Sequence, residues 1–187
     1  VWRWGVNARR TTDDTYLRRY DISSTDNLTS NLFVEGFNGP HYASANAYAF
    51  QGLRETDDPG DTPFVLPSLE YNWTGQPDQG GDHYSFDANV LSLYRSDGQD
   101  TLRLSLSGAW ERPLITNGGS IINFSALLRG DGSHVSSMPD PSNPGSTKDG
   151  LRGRVLTQAA VDWRLPFVRQ EGSVRQVIEP VAMAILA

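Results

Sequence analysis

The chain has no cysteine, which excludes disulfides and thiolate metal sites within these 187 residues without fixing a compartment. It has no run approaching the roughly 18 apolar residues that a membrane-spanning helix needs. It also lacks a basic stripe. The formal net charge is −6, and a nucleic-acid partner, which calls for clustered cations, is argued against. His41, His83 and His134 are scattered, with no i,i+4 pair and no helix to carry one, so no metal site is expected. Asp57, Asp58 and Asp61 surround Pro59-Gly60 and offer hard oxygens, yet the ligand spacing of an EF-hand is missing. Asp131, Ser133 and His134 have the residue types of a nucleophile constellation. They fall in a Gly-rich stretch with no nucleophile elbow and read as a solvated loop. No catalytic residue, no metal and no cofactor is therefore expected.

What the chain does have is period-two alternation bounded by turn chemistry. Strands are predicted over residues 1–9, 28–37, 41–53, 68–75, 82–95, 100–111, 119–130, 151–165 and 174–187. The clearest is 101–107, where Leu102, Leu104 and Leu106 interleave with Arg103, Ser105 and Ser107. In 41–50, Ala43, Ala45, Ala47 and Ala49 alternate with Tyr42, Ser44, Asn46 and Tyr48. Neither face is decisively apolar there, and the facing of that strand is left open. Within the first connection, Asp14 to Asp21 suits one helical turn capped by Asp14 or Thr15, with Tyr16 and Tyr20 as i,i+4 neighbours. Pro113, Pro166 and Pro180 sit at or near strand ends, where a missing N–H is tolerable. Pro180 interrupts an otherwise apolar final strand.

The connections alternate as well. Residues 10–27, 54–67, 96–99 and 131–150 follow the odd strands, are mostly long, and are rich in Asp, Gly, Pro and Ser. Residues 38–40, 76–81, 112–118 and 166–173 follow the even strands and carry short-turn residues. With strands laid alternately up and down, Trp2, Trp4, Trp73, Trp110 and Trp163 all fall on the short-turn side. An indole has an apolar body and an N–H and settles at the headgroup level, so such a rim suits a membrane-interface girdle of a β-barrel. Long loops on one side and short turns on the other suit the same architecture.

A barrel wall assigns the two faces. Leu102, Leu104, Leu106, Ile122, Phe124, Ala126, Leu128, Val155, Ala159 and Val161 would face lipid. Asp87, Asn89, Arg103, Ser105, Asn123, Gln158, Asp162 and Arg164 would line a hydrated lumen, where a charge stays solvated. At the lipid midplane an Arg or Lys would cost roughly 2–4 kcal/mol. The mean hydropathy of −0.46 is compatible with this, because half of each strand meets water. The exposed polar face of a soluble sheet would give the same alternation. A soluble β-sandwich acting as a carbohydrate-binding module, with its aromatics as a sugar platform, is one alternative. A different outer-membrane barrel, a porin or a nutrient receptor, is the other.

The chain begins at Val1 without an initiator Met or signal peptide and stops inside the apolar run 181–187. Nine strands is an odd count, whereas single-chain bacterial barrels close with an even one. The expectation is that 1–187 is one partial barrel domain, incomplete at both ends. Unpaired strand edges are intolerable in lipid.

Several ordered motifs carry a resemblance. They are the runs Val1-Trp-Arg-Trp4, Thr15-Tyr-Leu-Arg-Arg-Tyr-Asp21, Ser23-Ser-Thr-Asp-Asn-Leu-Thr-Ser30, Tyr48-Ala-Phe-Gln-Gly-Leu53, Leu66-Pro-Ser-Leu-Glu-Tyr-Asn-Trp73, Gly80-Gly81, Trp110-Glu-Arg-Pro113 and Ile178-Glu-Pro180. In order and spacing, over essentially the whole chain, they resemble the barrel interior of the LPS-assembly protein family LptD, the organic solvent tolerance proteins, in an alphaproteobacterial style. The resemblance implies an all-β, antiparallel up-and-down meander, about eight or nine strands of a very large outer-membrane barrel. It implies membership of the translocon that assembles lipopolysaccharide in the outer leaflet, in the cell outer membrane of a Gram-negative cell. The partners implied are lipopolysaccharide, an LptE-type lipoprotein plug, and a periplasmic Lpt bridge reached through an N-terminal jelly-roll domain. That domain, the gate strands and the family's disulfide cysteines are not in this segment, and the implied role is that of a wall rather than an enzyme.

Overall fold

The computed structural model describes residues 1–54, 56–143 and 145–187. Glu55 and Pro144, inside two of the predicted connections, lie outside the described residues. The predicted alternation becomes β1 (Trp2–Asn7), β2 (Asn27–Asn38), β3 (His41–Gly52), β4 (Phe64–Thr74), β5 (His83–Tyr94), β6 (Asp100–Ile115), β7 (Ile121–Pro139) and β8 (Thr147–Arg164). They are followed by β9 (Phe167–Glu171), β10 (Val174–Ile178) and β11 (Val181–Leu186). The first eight strands and β11 form one nine-stranded sheet in the order β1-β2-β3-β4-β5-β6-β7-β8-β11, and β9 and β10 form a separate two-stranded sheet. The architecture is the antiparallel meander that the alternation predicts. The sheet is open, with β1 and β11 as its outer strands.

The predicted connection 54–67 loses its last four residues to β4, which starts at Phe64, and three further connections differ from expectation. The predicted loop 131–150 shrinks to residues 140–146, because β7 runs on to Pro139 and β8 starts at Thr147. Residues 131–135 keep the alternation of polar Asp131 and Ser133 with Gly132 and His134, and a ladder satisfies backbone groups that a loop would leave to water. The turn predicted at 112–118 moves to 116–120, so Pro113 lies inside β6. That turn is closed by the Thr116 carbonyl accepting from Gly119 N at 2.9 Å, with Gly119 at φ +81, a conformation that glycine adopts without a steric penalty.

The third difference is at the end of the chain. The predicted turn 166–173 and strand 174–187 become a hairpin, β9–β10, followed by β11. Pro180 has no N–H to continue a ladder. Its carbonyl accepts from Leu165 N at 3.1 Å, and the chain re-enters the main sheet with Val181 opposite Arg164. The contrast between long and short connections is thus carried by 8–26 and 53–63, whereas 95–99, 116–120 and 140–146 are all short.

Two compact units can be distinguished. One comprises Val1–Asn72, Ala88–Ser105 and Asp131–Arg154; the other comprises Trp73–Asp87, Leu106–Gly130 and Val155–Ala187. The first holds β1–β3 and the helix α1 (Tyr16–Arg19). As the sequence predicts, Tyr16 meets Tyr20, with ring centroids 4.9 Å apart; Thr15 stands at the N-cap position of α1, but its side chain makes no capping hydrogen bond. Asp13 Oδ1 accepts from both Thr15 N and Thr15 Oγ1 and so holds the residue that enters the helix.

The register in the first unit decides the facing left open for residues 41–53. Direct partners in an antiparallel pair share a face. Trp4 lies opposite Val34 and Val6 opposite Leu32; Leu32, Val34 and Gly36 lie opposite Ala47, Ala45 and Ala43. The alanine row therefore belongs to the face of Trp2, Trp4 and Val6. Tyr42, Ser44, Asn46 and Tyr48 belong to the face of Arg3, Phe33 and Glu35.

Burial is slight on both faces. Among the described residues the only buried apolar side chains are Leu53 (2% exposed) and Ala160 (6%), while Trp2 and Trp4 are 70% and 75% exposed. The accessible surface is 13419 Å². A water-soluble monomer of this mass would expose roughly 8,900 Å². Among the described residues there is no hydrophobic core of the kind that holds a soluble sheet together.

Candidate functional site

On the polar face of β1–β3, Arg3 and Glu35 are direct cross-strand partners and form an ion pair. Tyr42 Oη donates to Glu35 Oε2 at 3.1 Å. Phe33, Phe37, Tyr42, Tyr48 and Phe50 share this face, with Phe37 against Tyr42 at 4.9 Å and Tyr48 stacked on Phe50 at 6.4 Å. The sequence alone does not group these aromatic residues. Their signal lay in the pairing register, which the sequence does not display.

Aromatic rings also cover glycines across the β1–β2 ladder. A Cβ at Gly36 would stand 2.6 Å from the Trp2 indole, and one at Gly5 would stand 2.6 Å from the Phe33 ring. The two glycines leave room for rings of opposite faces to lie flat on the sheet, the aromatic rescue of strand glycines.

Further along, Ser105 Oγ donates to Asp131 Oδ1 at 2.7 Å, and Arg154 Nε donates to Asp131 Oδ2 at 2.7 Å. Arg103, two residues from Ser105 in β6, shares its face. Asn89 Nδ2 donates to the Leu69 carbonyl at 3.2 Å. Ser133 and His134 are consecutive in β7 and so point to opposite faces. The solvated loop expected for them is a strand, and no Ser-His pair forms. His41 Nδ1 instead lies 2.8 Å from Tyr71 Oη. Among the described residues no three His, Cys, Asp or Glu side chains stand together as a metal site. Asp57 and Asp58 shape their own loop: Asp57 Oδ2 accepts from Arg54 N and Asp58 Oδ1 from Gly60 N.

The connection 8–26 is tied down at its end. Asp26 forms ion pairs with Arg18 of α1 and with Arg54. The hydrogen bond from Arg54 is the main reason that the Asp26 carboxyl titrates below its ordinary value, and it raises Arg54 in turn.

In the second unit, Ser107 Oγ donates to Asp87 Oδ2 at 3.3 Å, and Asp162 Oδ1 accepts from Arg164 Nη2 at 2.7 Å. Asp162 and Arg164 share their face with Met183 and Val181, while Trp163, Val161 and Ala159 lie opposite Ala182, Ala184 and Leu186. Asn123 and Gln158 occupy the same strand phases as Ser125 and Asp162. Trp73 ends one residue short of the close of β4 and Trp163 one residue short of the close of β8. Trp110 lies five residues inside the end of β6, not at it, yet its Nε1 donates to Asp82 Oδ1 at 2.8 Å, just ahead of β5. Asp82 Oδ2 also accepts from Arg112 Nη1 at 3.3 Å. Trp73 reaches the same connection, where a Cβ at Gly75 would meet its ring at 3.1 Å. Trp110 lines an apolar groove of about 360 Å³ with Phe124, Ala126, Ala159, Val161, Ala184 and Leu186.

An antiparallel meander that sorts apolar from polar residues by face, leaves both faces uncovered and ties its indole N–H to a turn carboxylate defines a class: the wall of an outer-membrane β-barrel. A family model described as "LptD: LPS transport system D" matches residues 1–186. The chain belongs to this family of outer-membrane proteins, which act in lipopolysaccharide transport. No curated protein matches the chain.

Proposed function

We propose that this chain is a stretch of barrel wall in the translocon that places lipopolysaccharide in the outer leaflet, a partial domain whose strands cross the outer membrane. Asp87, Asn89, Arg103, Ser105, Asn123, Gln158, Asp162 and Arg164 line its lumen, and the tryptophans mark the headgroup level on the short-turn side. An LptE-type lipoprotein occupies the lumen, and a periplasmic bridge delivers the glycolipid through a domain outside this segment. The wall encloses and orients; it performs no bond chemistry.

The observation that supports this best is the two-faced sheet without a core. A soluble sandwich would bury one face of each sheet against another layer, whereas here Trp2, Trp4, Val6, Leu32 and Val34 share one exposed face. The test is topological. Single cysteines at Ser142, in the connection 140–146, and at Gln79, in the connection 75–82, are introduced into the full-length chain with other thiols blocked. Intact cells are then treated with an impermeant maleimide. Labelling of Ser142→Cys in cells and of Gln79→Cys only after lysis is expected. Equal labelling of both in a soluble fraction would overturn the reading.

A further inference from the structure

A cavity of about 430 Å³ opens in the first unit, with Arg103 of β6, Asp131 and Ser133 of β7, and Arg152 and Arg154 of β8 in its lining. Arg152 and Arg154 are two residues apart in one strand and share a face. Arg103 shares the face of Ser105, which reaches Asp131 as Arg154 does. Three arginines therefore line one cavity with a single carboxylate, a formal charge of +2 in its lining, in a chain whose net charge is −6. Arg103 and Arg152 have no ion-pair partner among the described residues. Arg154 spends its Nε on Asp131, which is only 9% exposed, and that bond fixes the orientation of its fork.

Like charges side by side on a sheet face repel and destabilise it. A ligand of opposite charge would relieve this repulsion, and the planar fork of arginine matches the paired oxygens of phosphate and carboxylate. Another cavity with two arginines, lined by Arg9 and Arg10 at about 370 Å³, also holds Asp14 and Asp57 and has no such excess.

We infer that Arg103, Arg152 and Arg154 form a binding site for an oxyanion, a phosphate or carboxylate carried on a saccharide, as the substrate passes along the wall. The inference rests on the reading of that face as a hydrated lumen. The bound group docks between Arg103 and Arg152, with Arg154 held in place by Asp131.

The test uses the full-length protein in detergent, with other thiols blocked and Ser133→Cys as the reporter inside the cavity. Modification rates are compared for an anionic sulfonate and a cationic trimethylammonium thiosulfonate. The anionic reagent is expected to react faster by roughly fivefold at low salt, because two cations raise the local anion concentration. Arg103→Gln with Arg152→Gln should abolish the preference. Glucose 1-phosphate should slow the modification and glucose should not. Protection by inorganic phosphate as well assigns the site to small anions, and protection by solubilised lipopolysaccharide at lower concentration assigns it to the glycolipid.

Gln158→Cys separates the two readings. If it reacts with both water-soluble reagents while Ser133→Cys shows no charge preference and no protection, the oxyanion site is wrong and the wall stands. If neither position reacts with either reagent, the lumen assignment fails and the site with it.

Discussion

The indole of Trp2 lies across Gly36, its direct partner on the neighbouring strand, so closely that a Cβ at position 36 would stand 2.6 Å from the ring. The ring and the missing side chain are complementary. Gly36→Val should displace the indole and lower stability by about 1–3 kcal/mol, the usual range for overpacking. In a double-mutant cycle with Trp2→Ala, measured by denaturant unfolding of the full-length chain in lipid vesicles, the two changes should be clearly non-additive. Additive effects would mean that the ring does not rest there.

The face assignment predicts opposite outcomes for one substitution at two positions of β8. Val155→Arg places a guanidinium on the face of Ala159 and Val161 and should cost roughly 2–4 kcal/mol near the bilayer midplane. Gln158→Arg, on the face of Asp162, should cost little. Heat-modifiable mobility of the membrane-assembled protein is the readout, and equal loss for both would contradict the sorting by face.

Asp26 couples α1 to Arg54, so loosening it should free the connection 8–26 without touching the ladder of β2. Its carboxyl titrates below the ordinary value of 3.8, chiefly through the hydrogen bond from Arg54. A depressed folded-state value stabilises the charged form: the clasp is fully present above pH 3.8 and is lost as pH falls through the lower folded-state value. Hydrogen exchange of the Arg19, Tyr20 and Ile22 amides, which donate within the helical turn, should speed up only in that acid window. Asp26→Asn should show the faster exchange at neutral pH.

Trp110 holds Asp82 through its Nε1–H. Trp110→Phe keeps an apolar body in the groove but removes the donor, and should destabilise by about 1.5–3 kcal/mol, the order of one hydrogen bond to a charged acceptor. In Asp82→Ala the same substitution should cost little more, since the bond is already gone. Unfolding midpoints of the four variants decide this.

How much of this was legible in the sequence varies by element. Leu102, Leu104 and Leu106 against Arg103, Ser105 and Ser107 named their strand and its two phases unaided, because a ladder makes side chains alternate with a period of two. Tyr16 and Tyr20 announced the helical turn in the same way. Residues 131–139 did not announce β7, since Asp131, Gly132 and Ser133 are residue types that serve loops and hydrated strand faces equally well. Pro180 marked a break, but whether the chain before it would continue the sheet or fold into the β9–β10 hairpin depended on where Leu165 found an acceptor.

By itself the sequence determined the class of architecture and the approximate strand map, because these follow from periodicity and turn chemistry. It was equally sufficient, through its ordered motifs, for the resemblance that the family match bears out. Only the tertiary structure decided which residues stand opposite one another. Pairing register is a property of two strands at once, and a slip of one residue exchanges every side chain between faces. That is why the alanine row of β3, the glycines under Trp2 and Phe33, and the convergence of Arg103, Arg152 and Arg154 beside Asp131 became visible only once the strands were laid side by side.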